Sequence, residues 1–351
     1  MRNVLRELGR DSRGFEFTVV AAAGQISRQE AGGLDLVELS FGTSASSLSV
    51  LRRVLYEQAG LPLRARNYDL LYCLGDLSPI VGWTPTVVAL RNPNIYDHRF
   101  YDNIRLRLMN ALVRISVRRA RRVVFPSRAA ADLIAERVSI PDDRIRVVPH
   151  GISTEAFGGY AGDRNRGGEY PRYVFLPAAL ERHKNMEVLI RSLAHVADPE
   201  LQVWIAGGDE TDPRYGAELK TLARRTGVED RVRFLGPVPY ERILCLFRES
   251  VALVFPSWLE TFGHPLLEAM VAETPIIASD IPPFREISGD AALYFPPDDP
   301  VHLARAIDRV LMQHDDTKTR IVRGRDRAED LSWRHSVDRL CEVFEDALTG
   351  G

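Results

Sequence analysis

FPSWLETFGHPLLEAMVAETPIIASD, residues 255–280, is the stretch that decides the reading. It opens on an apolar run that stops at Ser257, passes through a loop carrying Glu260-Thr261-Phe262-Gly263, and turns helical near His264-Pro265. Proline suits a first helical turn, because the N–H it lacks would have no partner there. This order of strand, glycine-bearing loop and helix places the backbone amides of Thr261, Phe262 and Gly263 at the positive end of a helix dipole. That is an anion site suited to a diphosphate. Glycine at 263 lets the backbone approach a ligand closely. Glu268 falls about one turn into the helix, within reach of a ribose hydroxyl pair, the task of an acidic residue in other nucleotide folds.

Outward from this stretch, short β-rich runs alternate with helical patterns. The runs are YVFLPAAL (173–180), LQVWIAGG (201–208), VRFLG (232–236), ALVFPS (252–257), PIIAS (275–279) and ALYF (292–295). Amphipathic segments separate them: Met186–Val196, Tyr215–Thr226, Tyr240–Phe247 and Pro265–Val271. Strands alternating with helices predict a parallel sheet covered on both faces, and continuously apolar runs suit strands buried on both sides.

The front half repeats the scheme with FTVVAA (17–22), LDLVEL (34–39), DLLYCLG (69–75), TVVALR (86–91), RRVVFPS (121–127) and IRVVPHG (145–151), plus a long helix near 104–120. Phe157–Pro171, containing GGYAGDRNRGGEYP, reads as a linker or surface loop. The expected architecture is therefore α/β, two doubly wound Rossmann-like domains facing across a cleft. The divisions are 1–155 on the acceptor side, 156–330 for the nucleotide, and a C-terminal helix, 331–351, returning to the front domain. Ligands of open α/β sheets bind outside the carboxyl ends of the strands, which puts the expected site in that cleft. One anomaly stands at the front. Asn3–Leu8 already reads as the first helix, so the strand that normally opens such a domain is missing; either the true start lies upstream or the domain lacks it.

Composition bounds the rest. The 351 residues, 45% apolar and 27% charged, exclude disorder, collagen and coiled coil, and their number predicts a little over two domains. Cys73, Cys245 and Cys341 form neither a disulfide framework nor a metal ligand set, as expected of reduced thiols in a cytoplasmic protein. No apolar run approaches about 18 residues and the start MRNVLRELGR is charged, so neither a membrane span nor a signal peptide is expected. No Asp-x-Asp pair or His/Cys cluster suggests a metal, and no cofactor is expected. Residues 1–150 carry 22 arginines and no lysine against 15 acidic residues, whereas the remainder carries 24 basic against 33 acidic. A front half so biased is expected to face something anionic.

Residues 255–280 resemble the donor-site signature of the retaining GT-B glycosyltransferases of family four (glycosyl transferases group 1). The family pattern is S-x-x-E-x-F-G-x-P-x-x-E-A-M, and Ser257, Glu260, Phe262, Gly263, Pro265, Glu268, Ala269 and Met270 match it. TPIIASDIPPFREISGDAALYFPPDD (274–299) is similar to a subgroup holding many bacterial surface-glycan mannosyl- and other hexosyltransferases. The resemblance spans about residues 100–350. It implies that Glu260 orients the donor sugar, Glu268 holds the ribose, and the amides of 261–263 hold the departing β-phosphate. It also implies same-face transfer of a hexose from a nucleotide-diphosphate sugar of GDP-mannose or UDP-glucose type to a glycan or lipid-linked acceptor, without metal.

Lys184, one of three lysines, follows the run 173–180 and suits neutralisation of a diphosphate. The family often carries an arginine where Ala179 stands; Arg182 and His183 lie nearby, but neither shares that geometry, so only Lys184 is carried over. Gly236 and Val238, in FLGPVP (234–239), occupy the loop that meets the nucleobase in the family. Glu273 stands where the family commonly has glycine. The family's His-Asp after the strand TVVALR is absent, and Arg91 with Asn92 takes that acceptor-side place; Asp97, His98 and Arg99 follow more remotely.

The segment 104–122 holds seven arginines, with Leu106, Met109, Leu112, Val113, Ser116 and Val117 as an inward stripe. Arg105–Arg122 is read two ways: a solvated basic face, or attraction to anionic lipid or a pyrophosphate-linked acceptor at the inner face of a membrane. No nucleic-acid motif accompanies it. Residues 330–348 read as an amphipathic helix with Trp333, Val337, Leu340, Val343, Phe344 and Leu348 on one side. Two alternatives stay open: an epimerase or phosphorylase on the same fold, or a weakened nucleotide-binding relative.

Overall fold

The computed structural model describes residues 2–40, 52–97, 99–100, 104–153, 171–312 and 315–350. It divides into two units, Met1–Gly151 with Leu331–Gly351, and Ile152–Asp330. The glycine-rich stretch 157–170 and His98 lie outside the described residues.

The front unit runs α1 (Arg2–Arg10), β1 (Thr18–Ala22), β2 (Asp35–Leu39), α2 (52–65, with a π turn at Tyr56–Gly60), β3 (Leu71–Cys73) and β4 (Thr86–Ala89). It continues with α3 (Ile104–Arg119), β5 (Arg122–Phe125), α4 (Arg128–Val138) and β6 (Ile145–Val147). All six expected runs are strands, but they form two sheets. β1 and β2 pair in parallel by themselves, while β3-β4-β5-β6 make a four-stranded parallel sheet. Among the described residues no ladder joins the two. Aromatic packing stands in its place: Phe344 lies 6.0 Å from Phe15, 6.1 Å from Phe17 and 5.2 Å from Tyr72. Edge and tilted pairs at these separations are favourable beyond the area they bury.

Phe344 belongs to the helix Trp333–Thr349, which carries Leu340, Val343 and Ala347 onto Val87, Ala89 and Val124 of the four-stranded sheet. Leu348, expected on the same side, is exposed instead. Asp346 ties the helix down, accepting from Arg122 Nε at 2.5 Å and Arg146 Nε at 2.8 Å, while Arg121 Nη1 donates to Ala347 O at 2.8 Å. These arginines, Arg122 first, hold the Asp346 carboxyl down to about 2. Arg121 and Arg122 are therefore committed to this helix and do not extend an outward basic face.

The rear unit runs β7 (Tyr173–Pro177), α5 (Met186–Ser192), β8 (Gln202–Ala206), α6 (Pro213–Arg225), β9 (Val232–Gly236), α7 (Tyr240–Glu249) and β10 (Ala252–Phe255). It closes with α8 (His264–Val271), β11 (Ile276–Ser279), α9 (Pro282–Ser288), β12 (Ala292–Phe295), α10 (Pro300–Leu311) and α11 (Asp315–Asp330). The six strands are parallel, in the order β12-β11-β10-β7-β8-β9. β10 and β11 are buried at every position, as continuously apolar runs require. The chain winds from β7 outward through β8 and β9, then restarts on the other side with β10. The switch point of this sheet thus lies between β7 and β10, where ligands of doubly wound sheets bind.

Candidate functional site

The loops leaving β7 and β10 meet at that switch point. Arg182–Lys184 forms a turn of 3-10 helix, and Asn185 follows with φ 54°. That left-handed conformation costs asparagine less than most residues. Asn185 is buried, and its amide donates to Pro256 O at 3.0 Å and Pro297 O at 2.7 Å. A third tie, Trp258 N to His183 O at 2.8 Å, stitches the two loops together. Asn185 thereby sets the place of Lys184, a role its neighbours in sequence do not announce.

Lys184 Nζ lies 2.5 Å from Glu260 Oε1, with side-chain exposures of 18% and 12%. Ser257 Oγ donates to the same Oε1 at 3.0 Å, and Ser279 Oγ in turn donates to Ser257 O at 2.5 Å. The ammonium also stands 5.4 Å from the centre of the Phe255 ring. A carboxylate and an ammonium this buried offset each other's desolvation, and either alone would be costly. The two residues singled out for catalysis are thus brought into direct contact. Glu260 is not a loosely held loop carboxylate.

Gly263 caps α8 at φ 98°, with Pro265 in the first turn. A Cβ there would stand 2.8 Å from Phe284 Cε1 and 3.0 Å from Leu266 Cδ1. Both backbone and space therefore demand glycine. Thr261 and Phe262 are buried just before it. His264 opens the helix with its ring 5.9 Å from that of Phe262, and burial lowers its imidazole to about 4, so it is neutral at physiological pH. His183 is likewise lowered to about 4, first by burial and then by the neighbouring Lys184.

Glu268 is half-buried in α8, and burial pushes its carboxyl up to about 7 against a hydrogen bond from Tyr240 that lowers it. Tyr240 opens α7 directly after the loop carrying Gly236 and Val238, and nothing in its sequence position announced it as the partner of Glu268. Gly236 stands at φ 69°, and its carbonyl accepts from Gly207 N at 2.9 Å. Because the folded value exceeds the ordinary 4.5, the native state holds this proton more tightly than the unfolded chain. Stability contributed here declines as pH rises from about 4.5 through about 7. If an ionised Glu268 receives ribose hydroxyls, a nucleoside diphosphate binds roughly tenfold more weakly at pH 6 than at pH 8. Calorimetric titration across that range is expected to show the dependence in the wild type and a flat profile for Glu268→Gln. An unchanged slope in the variant removes Glu268 from the binding step.

Three positions named from the sequence have the following surroundings. Arg182 does not replace the arginine absent at Ala179: it is bound to Asp212 Oδ2 at 2.9 Å and to both oxygens of Glu218. Glu273 sits at φ 56°, the left-handed region that explains why glycine is common there. In the front unit, Arg91 and Asn92 build a turn around Asp76, whose Oδ1 accepts from their backbone N–H groups at 2.6 and 3.1 Å. The Arg91 guanidinium donates to Leu74 O, and Asn92 Oδ1 caps Asn94 N at 3.0 Å. Asp76 itself has φ 62° and a carboxyl raised by burial. Asp97 is enclosed by Arg99, as close as 2.7 Å, and Arg137 at 3.7 Å. Among the described residues, no group of three or more His, Cys, Asp or Glu is placed to hold a metal, and no helix is long and apolar enough to cross a membrane.

With this geometry in view, likenesses to known proteins become informative. Residues 1–156 match the model of Glycosyltransferase Family 4, and residues 163–327 match that of Glycosyl transferases group 1. The O-antigen chain mannosyltransferase RfbU of Salmonella typhimurium is 30% identical over 227 residues, 65% of this chain and 60% of that protein's length. The chain thus aligns with less than two thirds of that relative. Among solved structures, sucrose-phosphate synthase from Thermosynechococcus elongatus superposes with a TM-score of 0.81 at 20% identity, covering 99% of this chain and 92% of that one. Anabaena HepE in complex with UDP-glucose gives 0.77 at 17% identity, covering 98% and 95%. The two family models leave only residues 157–162 and 328–351 unmatched, and with the shared GT-B fold they show that this chain belongs to the group 1, family four glycosyltransferases.

Proposed function

We propose that this chain moves a hexose from a nucleotide-diphosphate sugar to a glycan or lipid-linked acceptor, with retention at the anomeric carbon and without a metal ion. The observation that carries the reading is the Lys184–Glu260 pair, held between the loops of β7 and β10 beside the Gly263-capped start of α8. An incoming diphosphate competes for Lys184 and for the positive end of α8. That exchange releases Glu260 to face the sugar. Thr261, Phe262 and Gly263 line the phosphate end, Glu268 takes the ribose, and Gly236 and Val238 border the base.

Chemically, the bond from the anomeric carbon to the β-phosphate oxygen breaks while the acceptor oxygen bonds the same carbon on the same face. The acceptor's proton passes to the departing phosphate oxygen. Lys184 and the helix start meet the negative charge that grows there, and fixed donors of this kind commonly supply the largest catalytic term. We place acceptor recognition at the Asp76–Asn92 turn of the front unit, and peripheral contact with the inner face of a membrane at the arginine-rich helix. The GDP-mannose and UDP-glucose types are the donors to try first, with surface-polysaccharide synthesis as the expected setting.

Purified protein incubated with UDP- and GDP-sugars in EDTA is expected to release nucleoside diphosphate and to form an axial-to-axial or equatorial-to-equatorial product by NMR. Turnover abolished by chelation removes the metal-free mechanism. An inverted product removes retention. A rearranged donor without transfer, or phosphate-dependent cleavage, assigns an epimerase or phosphorylase instead.

A further inference from the structure

Asn185 holds the loop of Lys184 from one side, through Pro256 and Pro297. The other side is held by α6, an element outside the donor-site motif. Two ties reach it, one from each flank of the lysine. Ahead of Lys184, Arg182 Nε donates to Asp212 Oδ2 at 2.9 Å, and its Nη1 and Nη2 donate to Glu218 Oε2 and Oε1 at 2.9 and 3.0 Å. Behind it, Tyr215 Oη accepts from Met186 N at 3.3 Å and donates to Glu187 Oε2 at 2.6 Å.

Tyr215 joins the two ties. It is fully buried, and its ring centre lies 5.0 Å from the Arg182 guanidinium. Its N–H donates to Asp212 Oδ1 at 3.2 Å, so the carboxylate that caps α6 also receives Arg182 on its other oxygen. Burial first, and then the Glu187 carboxylate, raise the phenol above its ordinary value, which keeps the hydroxyl protonated and donating.

Stability is a poor account of this arrangement. Glu218 is 56% exposed, and a pair so open to water contributes little to folding. What a bidentate fork adds is direction. Two carboxylates balance the charge of Arg182, so it is not free to meet a phosphate. Lys184 differs: with both neighbours anchored, its side chain is the part left to move. Such a lysine exchanges Glu260 for an incoming anion without rebuilding its loop.

We infer that Arg182 and Tyr215 are positioning residues, which act from α6 through the backbone on either side of Lys184 to aim its ammonium at the donor's diphosphate. The inference rests on the reading of Lys184 as the cation that meets the diphosphate, and deepens it by naming what aims that cation. A misplacement of about 1 Å can cost about 10²-fold in an oriented site, so a loosened anchor is felt at the phosphate before it is felt in the fold.

The test is calorimetric titration of the full chain with UDP and GDP, set against UMP and GMP, which share the nucleosides but lack the β-phosphate. The wild type is expected to prefer one diphosphate over its monophosphate by about tenfold or more, the range of a hydrogen bond to a charged group, and Lys184→Gln to lose that preference. Tyr215→Phe and Arg182→Met are each expected to weaken diphosphate binding by about three- to tenfold, with monophosphate binding kept within about twofold. Beside Lys184→Gln, neither is expected to weaken diphosphate binding further, because effects that act through one residue are not additive. Equal losses for monophosphate and diphosphate, or losses that persist undiminished beside Lys184→Gln, overturn the positioning role and leave the network structural. Arg182→Met carries the test if Tyr215→Phe melts below the assay temperature. A wild type without diphosphate preference, or a preference that survives Lys184→Gln, overturns the reading of Lys184 itself, so the two failures are told apart.

Discussion

Replacing Glu260 by glutamine is expected to lower kcat/KM by about 10²–10³, the range seen when a preorganised electrostatic contributor is removed from a desolvated site. Glutamine keeps the shape and an acceptor for the Ser257 hydroxyl, so most of the loss should fall on turnover. Alanine at the same position is a harsher change. A carboxylate on a loop would ordinarily be truncated at little cost in stability, but Lys184 is only 18% exposed and would be left without its partner. Breaking a buried pair by removing one member costs about 3 kcal/mol or more, equivalent to roughly 6–12 °C for a unit of this size. Glu260→Ala combined with Lys184→Met should recover most of that stability without recovering turnover. Differential scanning calorimetry and initial rates on the three variants separate the roles. Glu260→Gln with wild-type turnover would remove Glu260 from the chemistry.

Gly263→Ala is expected to combine two penalties at the candidate site, backbone strain and a clash with a buried ring. Its φ of 98° lies in the left-handed region, which costs a side-chain-bearing residue about 1–2 kcal/mol. The new Cβ would also press on Phe284 at 2.8 Å, and overpacking adds about 1–3 kcal/mol. Phe284 stacks on Phe255 with ring centres 4.8 Å apart, so the displacement reaches the end of β10 and the ground beneath Lys184. Gly227→Ala provides the control, since it has φ 68° but nothing within 4 Å of its Cβ. It should lose only the backbone part, about 1–2 kcal/mol, and keep its affinity for nucleoside diphosphate. Equal losses for the two substitutions, by thermal melts and titration, would show that Phe284 yields and that the turn is not fixed by packing.

Much of the rear unit is legible in its sequence because its strands announce themselves. YVFLP, QVWIA and ALVF are buried on both faces and cannot be mistaken for surface segments, and each is followed by its helix. The Lys184 and Glu260 loops were placed by motif. Their 2.5 Å contact was not, since it joins residues 76 apart through a sheet order no local pattern records. The same holds for Asn185, whose side chain reaches across to Pro256 and Pro297, and for Tyr240 on Glu268. Arg182 illustrates the converse: its place in the sequence assigned it no part in the site, and its actual partners, Asp212 and Glu218 at and within α6, are set by the fold. In the front unit, periodicity located every strand but could not say that β1 and β2 would stand apart from β3–β6. Hydropathy found the buried side of α3, and was silent about the exposure of Ile104, Leu108 and Ile115, because exposure is a property of what fails to cover a residue.

The way the chain threads its two units also constrains its biogenesis. Ile152–Asp330 is one uninterrupted stretch, whereas the front unit is closed by residues that follow it. During translation the rear unit has emerged in full while Phe15, Phe17 and Tyr72 still await Phe344, and Arg122 and Arg146 still await Asp346. The half made first is therefore completed second. Until the helix Trp333–Thr349 follows, the aromatic face that Phe344 covers stays open, and exposed apolar surface of this kind makes a partly made chain prone to aggregation.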